Sequence, residues 1–422
     1  MTDKDAAIRI VKGLRSKGFQ ALLAGGCVRD MLLNRPAKDY DVATDAEPAE
    51  VIRLFKRTLQ VGAKFGVVIV LLDDRQVEVA TFRSDVGYVD GRRPSRVSFT
   101  TAEQDALRRD FTVNGMFYDP LEGKVIDHVG GQADLERRVI RTIGGPAERF
   151  SEDYLRMLRA VRFSAQLDFS IEPATYAAVC ALASKITGIS GERICMELEG
   201  ILTCPGRADG ARLLKETGLA AAVFPGIDNG QIEIGLRVLA KLRGETSFPL
   251  ALAAFFVGVQ AGNALVHMEV LKANRSQTRH VEFLLRRRGV LLKDDMSLAE
   301  LKRLLAEPHF RDLYEFQRAI QKAVGGPVGP LARLLRRARD LAGVELRPAP
   351  LLDGHDLMQL GMMPGPGLGQ LVEQLYMAQL EGAFASPEQA KAWAVDWMRR
   401  TPGSGTQAHE SSGPSRSDGD PP

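Results

Sequence analysis

The 422-residue sequence lacks several features that mark membrane, secreted and disulfide-stabilised proteins. It contains no uninterrupted apolar run of about 18 residues, so we predict no transmembrane helix. Residues 1–18 have a polar, amphipathic helical pattern without the apolar centre of a signal peptide. The four cysteines are far apart and include no C-x-x-C pair, which argues against a disulfide framework or a zinc site and favours a reducing, cytoplasmic location.

A strong excess of charge of either sign is also absent. The sequence has 56 Lys and Arg against 53 Asp and Glu, and the formal net charge of +3 does not by itself indicate a nucleic-acid partner. With 45% apolar and 26% charged residues, the composition is that of an ordinary globular protein of about two to four domains. Local clustering is therefore more informative. Two basic clusters are interpreted either as solvated helix faces or as phosphate contacts: 286–288, and the set Arg333, Arg336, Arg337 and Arg339.

The stretch LLAGGCVRDMLLNRPAKDYDVAT, residues 22–44, carries the clearest functional pattern. Apolar residues run into Gly25-Gly26, which predicts a strand that ends in a tight turn before a helix. A helix that begins after glycines offers free N–H groups to a phosphate. In a strand, Asp39 and Asp41 lie on one face, and two adjacent carboxylates repel each other unless a cation such as Mg²⁺ separates them. A phosphate cradle followed by a metal-binding acid pair predicts nucleotidyl transfer.

The next segments add a candidate for a third carboxylate. Residues 47–60 have the spacing of a short amphipathic helix. VVIVLL at 67–72 and VEVATFR at 77–83 then predict a β-hairpin. Because the second strand alternates, Glu78 is a candidate to face the aspartate pair. A solvent-facing strand glutamate is an equally good interpretation of the same alternation.

Two polar segments follow the hairpin. Residues 84–98, SDVGYVDGRRPSRVS, are rich in Gly, Asp, Arg and Ser and predict a mobile basic loop between strands; a plain exposed linker is the alternative. The block LRRDFTVNGM at 107–116 places Arg109 beside Asp110. Such a pair provides a donor for a triphosphate and an acceptor for a ribose hydroxyl.

Residues 152–163, EDYLRMLRAVRF, predict a helix on which Asp153, Arg156, Arg159 and, more loosely, Arg162 share a flank. The plain interpretation is a solvated charged face with internal ion pairs. The functional interpretation rests on base chemistry. Cytosine and adenine present an amino donor beside a ring-nitrogen acceptor, whereas uracil and guanine present the reverse order. An Asp that accepts and an Arg that donates therefore match C and A.

These blocks together resemble the bacterial tRNA nucleotidyltransferases and poly(A) polymerases, the class II branch of the polymerase-β-like superfamily. The resemblance rests on GGCVRD with DYDVAT and extends through RRDFTVN, EDYLR and GERICMEL to about residue 397. It implies an α/β nucleotidyltransferase head of the polymerase-β-like type followed by an all-α neck, body and tail. The implied segments are a catalytic head (1–145), a nucleotide-selecting neck (146–205), an RNA-binding body (206–330) and tail (331–400), and a disordered end (401–422).

The resemblance also implies roles for individual residues. Asp39 and Asp41 would be catalytic and would bind Mg²⁺, with Glu78 as the candidate third ligand. Base selection is assigned by the family to its E-D-x-x-R block, which supports the base-chemistry argument. Gly26 and Arg29 would hold phosphates, Arg109 the nucleotide and Asp110 the sugar. The full nucleotide-binding set is Gly26, Arg29, Arg109, Asp110, Asp153, Arg156, Arg159 and Arg162.

The expected reaction is attack by the 3′-hydroxyl of tRNA on the α-phosphorus of CTP or ATP, so that C, C and A are added without a nucleic-acid template and pyrophosphate leaves. The segment 84–98 resembles a family loop that helps the site change between nucleotides, which speaks against an enzyme adding only C. An enzyme adding only A and a poly(A) polymerase remain alternatives, although a basic extension typical of the latter is absent. A catalytically silent RNA-binding protein is the non-enzyme alternative, against which the intact acid pair argues. The His355-Asp356 pair lacks further ligands at set spacing, so we predict no HD phosphohydrolase domain.

Overall fold

The computed structural model describes residues 1–62, 65–89 and 93–401. The chain forms two compact units, which meet in sequence between Arg286 and Arg287. That position lies inside the segment 206–330, for which the sequence predicts a single helical body. The finer division into head, neck, body and tail stays a prediction. The segment 402–422, predicted to be disordered, lies outside the described residues.

Strands are concentrated in the first 171 residues of the described chain. Ala, Val and Leu dominate the two strands at residues 21–24 and 42–44, and all residues of these two ranges are buried. The strands are β1 (Ala21–Ala24), β2 (Asp41–Thr44), β3 (Thr58–Gly62), β4 (Val67–Leu72), β5 (Arg75–Thr81), β6 (Arg83–Val89), β7 (Arg93–Phe99), β8 (Phe117–Asp119), β9 (Lys124–Ile126), β10 (Val139–Ile140) and β11 (Ser170–Ile171).

Seven of these strands form one mixed sheet in the order β3-β4-β5-β2-β1-β8-β9. Neighbours are antiparallel except for β2 and β5, which run parallel with Val42 opposite Val79. The parallel pairing brings the beginnings of β2 and β5 to the same edge. This edge therefore collects the residues that begin or precede β2.

Helices cover the sheet and make up nearly all the rest of the first unit. The first helix begins at a capping box formed by Thr2 and Asp5, and its buried Ile10 and Leu14 join the same apolar cluster as Leu23 of β1. The helices of this unit are α1 (Asp3–Arg15), α2 (Gly26–Leu32), α3 (Pro48–Leu54), α4 (Ala102–Leu107), α5 (Gly131–Arg137), α6 (Pro146–Glu152), α7 (Leu155–Leu167), α8 (Pro173–Leu182), α9 (Gly191–Leu202), α10 (Arg207–Glu216), α11 (Leu219–Val223), α12 (Asn229–Leu239), α13 (Phe248–Phe255), α14 (Ala261–Val270) and α15 (Arg275–Arg286).

The second unit is helical throughout its described residues. A separate apolar cluster around Leu357, Leu371 and Leu375 forms part of its core. Its helices are α16 (Leu298–Leu305), α17 (Phe310–Val324), α18 (Gly329–Asp340), α19 (Gly354–Gln359), α20 (Pro366–Glu381) and α21 (Pro387–Arg400). Among the described residues of both units, none of the helices has both the length and the apolar character needed to cross a membrane.

Two segments for which the sequence predicts no strand contain strands, so these predictions are wrong. The helix predicted for 47–60 ends at Leu54, because Thr58–Gly62 pairs with β4 and extends the sheet. The segment 84–98, predicted to be a loop, contributes to the antiparallel hairpin of β6 and β7, in which alternating backbone pairing satisfies the polar groups that a loop would leave to water. Asp90, Gly91 and Arg92 of the predicted loop lie outside the described residues.

Candidate active site

The first part of the candidate site is a tight turn after β1. Gly25 has φ 75° and ψ −131°, a conformation that side chains rarely adopt, and a Cβ there would lie 3.0 Å from Nη1 of Arg109. The helix α2 begins at the next residue, Gly26. On that helix, Arg29 donates to Oδ1 of Asn114 (2.7 Å) and its guanidinium lies 5.3 Å from the ring centre of Phe163. The turn thus places Gly26 and Arg29 side by side on the wall of a cavity.

Three carboxylates line the same cavity: Asp39, Asp41 and Glu78. The strand predicted for residues 39–43 begins only at Asp41, and Asp39 precedes it. Continuing the β2–β5 register by one residue from Val42 and Val79 places Asp41 next to Glu78 on one face. The two strands therefore bring Glu78 to the aspartate pair, an arrangement that alternation in β5 alone left open.

The surroundings of Asp41 change its pKa. Loss of hydration in the cleft, together with the charges of Glu78 and Asp39, raises the pKa of Asp41 to about 6. Such crowding of like charge suits a divalent cation with oxygen ligands, which would remove the repulsion. Among the described residues, no three His, Cys, Asp or Glu side chains are already arranged around one metal position. The donor set fits Mg²⁺ by its chemistry, with Asp39 and Asp41 as ligands and Glu78 as the candidate third.

This pKa gives a first prediction. A carboxyl whose pKa is raised from 3.8 to about 6 takes up a proton on folding, so its favourable contribution exists at low pH and is lost as the pH rises through about 6. We expect Asp41→Asn to increase the free energy of unfolding at pH 8 without metal by about 1 kcal/mol, after allowing for the exposure of the side chain. At pH 5, which lies between the two pKa values, the gain should be about half as large.

Thermal unfolding at both pH values measures this difference. Asp45→Asn, just beyond β2 and outside the cavity lining, is the matched control and should give no pH-dependent gain. An equal effect of Asp41→Asn at pH 5 and pH 8 contradicts the assignment of the repulsion to this cluster.

The block after α4 also contributes residues to the lining of the cavity. Arg109 lies with its guanidinium 5.1 Å from the ring centre of Phe117 and lines the cavity beside Asp110. The carboxylate of Asp110 accepts from Nε (2.7 Å) and Nη2 (2.6 Å) of Arg159 and from its neighbour's backbone N–H. Although burial opposes ionisation, the charge of Arg159 holds the pKa of Asp110 below its ordinary value. The carboxylate is therefore ionised and fixed in position.

The helix predicted for 152–163 is interrupted. Asp153 has extended φ and ψ of −157° and 103° and lies between α6 and α7, so it does not share a helix flank with the arginines. Its carboxylate accepts the N–H of Leu155 (3.1 Å), and such local capping competes with a continuous helix. It also pairs with Arg193 of α9 at 2.6 Å. Asp153 and Arg156 still line the same cavity.

The three arginines of α7 have different surroundings. Arg156 contacts Glu152 and donates to the carbonyl of residue 149 (2.8 Å). Arg159 pairs with Asp110 and lines the cavity. Arg162 pairs with Glu197 at 2.6 Å and is absent from the cavity lining, so the geometry does not bring it together with the other predicted nucleotide-binding residues.

The cavity has a volume of about 700 Å³ and combines seven arginines with five acids. All the predicted site residues except Arg162 line it. The sequence interpretation missed several lining residues, although Asn114 and Arg193 belong to the quoted blocks RRDFTVN and GERICMEL. The missed polar and aromatic residues are Arg83, Arg108, Asn114, Phe163 and Arg193. A strongly cationic wall opposite a carboxylate cluster can bind a polyphosphate together with a divalent cation.

Comparison with known proteins agrees with this geometry. The model of the "Poly A polymerase head domain" matches residues 21–141, and that of the "Probable RNA and SrmB-binding site of polymerase A" matches residues 168–231. A CCA-adding enzyme of Lactobacillus johnsonii is 33% identical over 91% of this chain and 95% of its own length. Another, of Geobacillus stearothermophilus, is 33% identical over 93% of this chain and 97% of its own.

A solved structure extends the likeness to the fold. The crystal structure of the Bacillus stearothermophilus CCA-adding enzyme in complex with CTP superposes with a TM-score of 0.80 at 30% identity, covering 95% of this chain and 98% of that one. The predicted fold class, a polymerase-β-like head with a mixed sheet followed by helices, is thereby confirmed.

Proposed function

This chain belongs to the family of CCA-adding enzymes, and we propose that it adds C, C and A to the 3′ end of tRNA from CTP and ATP. It is a nucleotidyltransferase. The proposal rests chemically on one cavity, which is lined by Asp39, Asp41 and Glu78 together with seven arginines. That combination suits transfer of a nucleotidyl group and has no use in a protein that only binds RNA.

The proposed step is an in-line displacement at the α-phosphorus. The 3′-hydroxyl oxygen of the RNA forms a bond to that phosphorus, the bond to the β-phosphate oxygen breaks, and pyrophosphate leaves while the hydroxyl proton is lost. Gly26, Arg29 and Arg109 hold the phosphates, and Asp110, fixed by Arg159, accepts from the ribose hydroxyl. Mg²⁺ held by Asp39 and Asp41 would supply charge neutralisation and lower the pKa of the attacking hydroxyl.

Selection of the base is proposed to lie with Asp153 and Arg156. Arg193 donates to both oxygens of the Asp153 carboxylate (3.3 and 2.6 Å) and so holds it in place, while Glu152 and the carbonyl of residue 149 hold Arg156. An acceptor and a donor held independently of each other keep a fixed separation, which a base must match. Cytosine and adenine match this order, and uracil and guanine do not.

The segments 206–330 and 331–400 are proposed to bind the RNA, as the sequence predicts. Several arginines of the basic clusters carry an acidic neighbour: Arg286 pairs with Glu282, and Arg333 contacts Asp294. Such exposed pairs are weak and exchange readily with a phosphate. A cytoplasmic location stays a prediction.

The test uses three tRNAs that lack all three terminal nucleotides, the last two, or the last one, each with labelled CTP or ATP alone. The proposal predicts CTP incorporation on the first two and ATP incorporation on the third. A protein that ignores CTP on the shortest tRNA is an enzyme adding only A, and one that extends every RNA with many A residues is a poly(A) polymerase.

A second prediction concerns the hairpin of β6 and β7. It begins at Arg83, which lines the cavity, so its root lies at the nucleotide site. The larger adenine requires a wider pocket after two C additions, and we propose that the hairpin accompanies that change. Deleting residues 88–95 is expected to leave C addition within about threefold and to lower A addition at least tenfold, because the two steps use the pocket at different widths.

Single-turnover addition of each nucleotide by the same variant gives the comparison, with C addition as the internal control for folding. Equal losses in both steps contradict a role of the hairpin in the change from C to A.

A further inference from the structure

Asp105, near the end of α4, is a buried carboxylate outside the cavity lining that connects two of the arginines in it. Its exposed fraction is 1%. Oδ1 accepts from Nε (2.9 Å) and Nη2 (2.6 Å) of Arg108 and from the backbone N–H of Arg83 (3.2 Å). Oδ2 accepts from Nε (3.2 Å) and Nη2 (3.0 Å) of Arg109. One carboxylate thus contacts the Nε–Nη2 edge of two neighbouring guanidinium groups.

These contacts determine the orientation of Arg109. With its Nε–Nη2 edge on Asp105 and its face on Phe117, the guanidinium has its Nη1 end directed at the turn, where it donates to the carbonyl of Asn114 (3.4 Å) and lies against Gly25. The turn at Gly25 leads directly into the phosphate-binding residues of α2. Arg109 is therefore held on three sides, and its position does not depend on a bound ligand.

The second arginine links the same carboxylate to the hairpin. Nε of Arg108 donates both to Asp105 and to the carbonyl of Arg83 (2.8 Å), while Arg83 donates its own N–H to Asp105. Asp105 thus joins the beginning of β6 to Arg108 and Arg109. Although burial opposes ionisation, the charges of Arg109 and Arg108 hold the pKa of Asp105 below its ordinary value. It therefore remains an anion over the working pH range.

An arrangement of this kind lowers the cost of binding a polyanion. Long arginine side chains lose rotamer freedom when a ligand immobilises them. The contacts of Asp105 with Arg108 and Arg109 remove much of this cost before the ligand arrives. The preorganised donors then retain more of their interaction energy for the phosphates.

We propose that Asp105 is a positioning residue for triphosphate binding, which acts through Arg109 and Arg108 and touches no substrate itself. The inference rests on the proposed function only in taking a triphosphate as the ligand of this wall. Asp105 would serve CTP and ATP alike, because the contacts that it organises lie on the phosphate side of the cavity.

The test measures binding of inorganic tripolyphosphate to the full chain by calorimetry. Asp105→Asn is expected to weaken binding roughly tenfold or more and to raise the KM for CTP more than it lowers kcat, since a displaced arginine costs binding first. A cycle of Asp105→Asn, Arg109→Ala and the double variant separates positioning from folding. If Asp105 acts through Arg109, the double variant binds no more weakly than Arg109→Ala alone.

Asp134→Asn is the matched control. Asp134 has an exposed fraction of 4% and accepts from Thr112 and Arg141 (2.7 and 3.1 Å), yet it does not line the cavity. It should lower thermal stability and leave tripolyphosphate affinity unchanged. If Asp105→Asn does not fold, Asp105→Glu, whose carboxylate is displaced by one methylene, takes its place in the same cycle.

Unchanged tripolyphosphate affinity in the folded Asp105 variant, or additive losses in the cycle, would overturn the proposal. Neither outcome would contradict the proposed transferase activity, because both concern only the Asp105 and Arg109 variants. A different result would refute the proposed function and retain this inference: tripolyphosphate binding that depends on Asp105 and Arg109 in the cycle, in a protein that transfers no nucleotide.

Discussion

Asp39→Asn and Asp41→Asn are each expected to lower the rate of nucleotide transfer about a thousandfold or more, while tRNA binding remains nearly unchanged. Both side chains line the cavity with Glu78, and burial together with the charges of Glu78 and Asp39 raises the pKa of Asp41. A metal held there contributes several kcal/mol to stabilisation of the transition state. An amide at either position keeps the size of the side chain but removes the charge that holds the cation.

Incorporation of labelled CTP and retention of tRNA on a filter measure the two properties separately. Asp73→Asn, at the turn between β4 and β5, is the control, because a positive φ of 52° there is tolerated by asparagine and the residue does not line the cavity. A double variant of Asp39 and Asp41 that still incorporates CTP would refute the assignment of these residues as the catalytic pair. The corresponding result for Glu78→Gln decides whether the third carboxylate belongs to the metal set.

Arg156→Ala and Asp153→Ala are expected to change which nucleotide is added. Each removes one directional hydrogen bond to the Watson–Crick edge, so discrimination against UTP and GTP should fall about tenfold, with a smaller loss in turnover. Competition between CTP and UTP on one tRNA gives the ratio directly. Arg193→Ala should lower discrimination as well, because it releases the Asp153 carboxylate from its 2.6 Å contact.

Arg212→Ala is the matched control, since Arg212 is exposed on α10, pairs with Asp209 of the same helix and does not line the cavity. If the variants at 153 and 156 lose activity while their nucleotide preference stays unchanged, both residues are structural. Selection of C and A then lies elsewhere in the cavity.

Local sequence signals predicted the parts of the site that short segments build by themselves. Gly25 and Gly26 after apolar residues indicated a strand, a turn and a helix, and β1, the turn and α2 are found there. The D-x-D pattern indicated a shared face, and both acids line one cavity, although only Asp41 belongs to the strand. Alternation could not decide whether Glu78 joins them, since that depends on the parallel pairing of β2 with β5.

Contacts between distant segments could not be predicted in the same way. Arg193 approaches Asp153 only because α9 packs beside α7, and Arg162 is turned towards Glu197 by the same packing. The interruption of the helix at Asp153 has a local sequence signal, because Asp is a favoured residue just before a helix. The content of Gly, Asp, Arg and Ser in residues 84–98 predicts a loop, because these residue types are common in loops, and it does not reveal the pairing of β6 with β7.

The measurement that tests the account most directly is sequencing of RNA 3′ ends after the protein acts on a tRNA that lacks all three terminal nucleotides. The reaction contains equal concentrations of all four nucleoside triphosphates and Mg²⁺, so the protein alone must choose. One cavity with a single acceptor–donor pair predicts ends that read C, C and A and then stop. Ends that contain only A, a run of A residues, or U and G at the frequency of C would contradict it.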